Sequence, residues 1–179
     1  MDRTILTNML SNNRRALIIH VGVCFILFLP LSVIMGPGNL WTESMLERGT
    51  LWTLVSQWFA IGIYTIVGLL LYFGLGRKFL SHTHNLLANL FSVVVVPISI
   101  LLGLLVVFLS PSPAGQAGAD LLGLLAVPIL PISESIYFFT RIGQVGSYMV
   151  MALLPPFAMW LGLATKRKNP KIINSKQSF

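Results

Sequence analysis

The sequence predicts an all-α integral membrane protein. Four transmembrane helices form a bundle, with a short apolar re-entrant or interfacial helix between the third and fourth spans. Three observations lead there. Hydrophobic residues make up 55% of the chain and charged residues only 9%, whereas soluble domains carry roughly a quarter charged residues. The mean hydropathy is +0.83, which makes lipid the natural solvent for most of the side chains. Finally, the apolar residues gather into runs that, at about 1.5 Å per residue, match a hydrocarbon core of roughly 30 Å.

The runs follow a polar N-tail, residues 1–15, in which Thr4 to Leu10 could form a short interfacial helix. The first span is expected over 16–35, with Pro30 in its outer third and Gly36, Pro37 and Gly38 as its stop. Arg14 and Arg15 precede it as in a signal peptide. The run is too long for a cleaved leader, however, and no small-x-small site follows, so it reads as a retained signal anchor. The second span is expected over 51–75. Trp52 and Trp58 lie near its start and Tyr72 near its end, in an aromatic-belt pattern. Gly74 and Gly76 are expected to close it before Arg77 and Lys78. The third span, 86–109, holds Val93 to Val96 and then Pro97. Its β-branched run does not argue for a strand, because an unpaired strand cannot satisfy its backbone in lipid. The last span, 145–164, carries Pro155-Pro156 near its middle, and residues 165–179 form a basic tail.

Between the third and fourth spans lies an outer segment, 110–144, within the single membrane domain of 16–164. Its apolar core, Leu121 to Ile132, is only about 12 residues and contains Pro128 and Pro131, which suits a re-entrant or interfacial piece better than a span. Charge supports that reading. With 119–139 not crossing, ten of the twelve Lys and Arg residues fall on one side, with Arg48 and Arg141 on the other. The other side also holds four of the five acids. The positive-inside rule then places both termini in the cytoplasm. A five-helix arrangement would put Lys166-Arg167-Lys168 outside. The net charge of +7 is thereby explained by topology and anionic lipid, and no nucleic-acid partner is expected. The lack of a transit peptide and the inner-side charge bias fit a bacterial cytoplasmic membrane.

Chemistry-bearing residues are few. The spans contain no Asp, Glu, Lys or Arg; intramembrane charges usually mark proton relays and ion paths. The single cysteine, Cys24, forms no internal disulfide and reads as a small buried or lipid-facing side chain. His20 reads as a neutral imidazole near the headgroup boundary. His82 and His84 lack a third ligand, and a metal site needs three or four. No metal, cofactor or catalytic residue is expected. Small-x-x-x-small pairs at Gly143/Ser147 and Ala158/Gly162 could admit close helix packing. Prolines in three spans and Ser56-Gln57 in the second could be structural or could line a site. The candidate contact residues are Gln57 in the second span and Asp120, Glu134 and Arg141 in the outer segment.

The expected function is that of a non-enzymatic, multi-pass accessory or partner-binding subunit. Its partners would be the lipid bilayer and another membrane protein or a second copy. The alternative is a small transporter or channel subunit for a neutral or amphipathic solute. A lipid-directed enzyme using Asp120 or Glu134 is a third class, for which the sequence supplies no nucleophile–base–oxyanion set.

Overall fold

A computed structural model of the chain describes residues 3–35, 51–82, 85–109, 124–129, 132–133 and 143–166. Among these residues every regular element is helical. In chain order they are α1 (Arg3–Met35), α2 (Leu51–Phe79), α3 (Leu86–Phe91), α4 (Val95–Leu109), a 3₁₀ turn (Leu124–Ala126), α5 (Gln144–Met151) and α6 (Leu154–Ala164). Four helical stretches are long and apolar enough to cross a membrane: Arg3–Pro30, Trp58–Phe79, Leu86–Leu105 and Gly146–Ala164.

Two spans are broken, and prolines explain where. A proline has no amide hydrogen, and its ring crowds the carbonyl four residues earlier. Pro97 therefore leaves Val93 without its ordinary donor. The chain tightens instead, and Val96 N–H donates to Val93 O at 3.1 Å. The break at 92–94 separates α3 from α4. Pro155 and Pro156 act likewise on Met151 and Ala152. The helix turns at Ala152–Leu153, where Leu153 N–H reaches back only to Val150 O at 3.2 Å. It restarts as α6 with proline in its first turn, where no N–H is needed. Pro30, in contrast, sits inside an unbroken α1.

Two elements run further than hydropathy suggested. α1 begins at Arg3, so residues 4–10 continue the first span instead of forming a separate interfacial helix. α2 passes through Gly74 and Gly76 to Phe79 and carries Arg77 and Lys78 in its last turn. Gly76 serves packing there. A Cβ on it would lie 2.8 Å from the Met159 carbonyl oxygen of α6. Gly162 answers from the other side, where a Cβ would collide with the Phe73 carbonyl of α2. The α2–α6 contact is the most extensive in the bundle, and the two glycines bring its backbones together. Of the two small-residue pairs, Ala158/Gly162 lies in this contact, whereas Gly143 faces open space.

Burial follows helical periods, and large apolar side chains also cover the exterior. On α2 and just past its end the buried positions are Tyr64, Gly68, Tyr72, Gly76 and Leu80, every fourth residue. On α1 they include Asn12, Ala16, His20, Val23, Cys24 and Leu27. Facing outward are Ile18, Phe25, Ile26, Leu29, Phe59, Ile66, Leu70, Ile98 and Leu102. So extensive an apolar exterior would be unstable in water and is the expected state against lipid tails.

Candidate functional site

The basic end of the bundle is tied by polar side chains on α1. Asn12 is fully buried. Its Nδ2 donates to Ser81 O at 2.8 Å, and its Oδ1 accepts from Ser81 N–H at 2.8 Å. One amide thus satisfies both backbone groups of the residue just past α2. Asn13 does the same across the break in the third span. Its Nδ2 donates to Phe91 O at 2.8 Å and its Oδ1 accepts from Val95 N–H at 3.2 Å. Those two backbone groups are four residues apart and would have bonded to each other in an unbroken helix.

The carbonyls that end α2 also have partners. Arg15 Nη1 donates to Phe79 O at 3.1 Å and to Ser81 Oγ at 3.2 Å. Lys166 Nζ, just past α6, donates to Leu80 O at 2.8 Å. Cations are the favoured caps at the negative end of a helix dipole, so this end is closed by α1 and by the chain following α6.

Deeper in the bundle lies a polar cluster. His20 is fully buried, and its Nδ1 is 2.7 Å from Tyr72 Oη. The two rings stack with centroids 5.9 Å apart. The imidazole tautomer sets which of the two donates. Cys24 Sγ is 3.8 Å from His20 Nε2 and donates to Leu125 O at 3.9 Å. Tyr64 Oη–H donates to Val127 O at 2.9 Å. The acceptors at 125 and 127 belong to the segment that begins with the 3₁₀ turn. That segment packs against α1 and α4 and buries Ala126, Val127, Ile129 and Ser133.

The cluster holds an imidazole, two phenols and a thiol, groups capable of proton transfer. The described side chains around it leave little space. The adjoining cavity, lined by Thr65, Gly68, Tyr72, Pro128 and Pro155 among others, measures about 10 Å³, the space of roughly one water molecule. The hydrogen bonds link α1 to α2 and hold the 124–129 segment against both. Among the described residues, no group of three His, Cys, Asp or Glu side chains is placed to hold a metal ion.

Of the candidate contact residues read from sequence, Gln57 lies on α2, with its side chain outside what is described. Asp120, Glu134 and Arg141 lie outside the described residues, as does His84. Sequence reasoning passed over Asn12 and Asn13 and did not pair His20 with Tyr72; the structure buries His20 among protein side chains. A signal was available: Asn12, His20 and Cys24 recur at multiples of four on α1, which aligns them on one face. Comparison with known proteins finds no matching family model, no matching curated protein and no matching solved structure.

Proposed function

We propose that this chain is a non-enzymatic, multi-pass subunit of a bacterial cytoplasmic membrane that acts through a protein partner. In this reading both termini are cytoplasmic. The segment 119–139 re-enters the bundle from the outer side, and Asp120, Glu134 and Arg141 around it meet the partner. The observation that carries the reading is the anchoring of residues 124–129. Tyr64 and Cys24 hold this stretch from α2 and α1, and Ala126, Val127 and Ile129 within it are buried. A segment fixed at its centre is a rigid base for recognition, and rigidity lowers the entropic cost of binding. Asn12, Asn13, His20, Tyr64 and Tyr72 are engaged within the chain, which turns attention to the outer segment as the place for recognition.

Affinity capture of the full-length protein in mild detergent tests this. Co-purification of a defined membrane partner is expected, and it should be lost in a variant carrying Glu134→Lys and Arg141→Glu. Recovery of the protein alone under several growth conditions would refute the reading. A reporter active only outside the cytoplasm, fused at the C-terminus, tests the topology and should be silent. The alternative, solute passage, is tested by flux into proteoliposomes, where none is expected.

A further inference from the structure

A second space lies on the lipid-facing side of the bundle. Between α1 and the basic end of α2 runs a groove of about 630 Å³, a volume typical of small-molecule sites. Its floor is Gly22, where a Cβ would meet nothing within 4 Å. Ile18, Ile26, Leu75 and Phe79 form its apolar walls, and Arg15 and Lys78 are its charged lining residues. From Arg15 to Ile26 the α1 axis advances about 16 Å, roughly half the thickness of a hydrocarbon core. That is the depth of one leaflet.

Both cations are held in place. Arg15 is oriented by its bonds to Phe79 O and Ser81 Oγ. Lys78 Nζ stands 5.2 Å from the centroid of the Phe79 ring. All five Asp and Glu residues of the chain lie outside the described residues, so no described carboxylate neutralises the pair. Two fixed positive charges at the head of an apolar slot one leaflet deep match one kind of molecule.

We propose that this groove binds one anionic phospholipid, its phosphate between Arg15 and Lys78 and one acyl chain along Gly22. A zwitterionic lipid offers the same chain, but its own ammonium group opposes the two cations. Free phosphate offers the charge without the apolar contact. The site is independent of the partner surface around 119–139, so either can fail without the other.

Native mass spectrometry of the full-length protein, supplied with equal amounts of phosphatidylglycerol and phosphatidylcholine, tests it. One phosphatidylglycerol is expected to remain bound after mild activation. Lys78→Gln should weaken its retention about fivefold, the typical contribution of one basic residue at an anionic surface. Gly22→Leu, which fills the floor and leaves both charges in place, should abolish retention without lowering the melting temperature. Inorganic phosphate at millimolar concentration should not displace the lipid. Equal retention of the two lipids, retention of neither, displacement by phosphate alone, or full retention in Gly22→Leu would each overturn the proposal.

Discussion

Asn13 on α1 occupies the position of a missing backbone bond in the third span: it accepts the Val95 N–H at 3.2 Å and donates to the Phe91 carbonyl that this N–H would otherwise have reached. The break between α3 and α4 is therefore a joint product of Pro97, which disturbs the turn before it, and of a side chain inserted into the helical ladder.

Asn13→Leu removes both halves of this bridge and leaves Phe91 O and Val95 N–H without their partner. A loss of about 1–3 kcal/mol is expected, the cost of leaving such groups unsatisfied. Asn13→Asp keeps the acceptor but loses the donor, and should also destabilise. Denaturation of the purified protein in mixed micelles measures both. Wild-type stability in Asn13→Leu would show that the span closes its own ladder.

The α2–α6 contact leaves no room for a methyl group at Gly162, since a Cβ there collides with the Phe73 carbonyl. Gly162→Ala must push the helices apart, and a loss of about 1–3 kcal/mol is expected for overpacking. Gly143→Ala is the control, because nothing lies within 4 Å of its Cβ position. Equal melting temperatures for the two variants would contradict the packing described.

Tyr72→Phe deletes the hydroxyl that lies 2.7 Å from His20 Nδ1. A hydrogen bond between helices in a membrane contributes on the order of 1 kcal/mol, and the stranded imidazole adds to the loss. A double-mutant cycle with His20→Phe should return a coupling of similar size. Strict additivity would mean that the two groups are neighbours without a bond.

Cys24 is the chain's single cysteine and is buried. Its thiol reports on the integrity of the bundle. A membrane-permeant maleimide should leave the native protein unlabelled and label it fully once the detergent mixture unfolds it. Rapid labelling of the folded protein would mean that the core around His20 opens readily.

Much of the architecture was legible in the hydropathy pattern, and the reason is physical. Lipid forces each long apolar run to satisfy its backbone internally, so run length and helix nearly coincide. The breaks were less legible. Pro97 marks a disturbance, but its location depends on Asn13, 82 residues from Val95 in the chain. Gly76 read as a helix end because a glycine inside a span and one past its end look alike without the neighbouring helix. The polar interior escaped notice for a similar reason. His20 and Tyr72 are 52 residues apart, and each alone resembles an ordinary interfacial residue. Asp120, Glu134 and Arg141 drew attention through charge, whereas the groups that organise the described core are mostly neutral.

The glycine seam between α2 and α6 also has a temporal meaning. Gly76 is synthesised 86 residues before Gly162, an interval of roughly 4–17 s at translation speeds of about 5–20 residues per second. During that time the close-packing face of α2 is bare, and only the arrival of α6 covers it. Ribosome-stalled chains ending before residue 154 should therefore cross-link through a photoreactive group at position 76 to whatever shields this face, and released full-length chains should not.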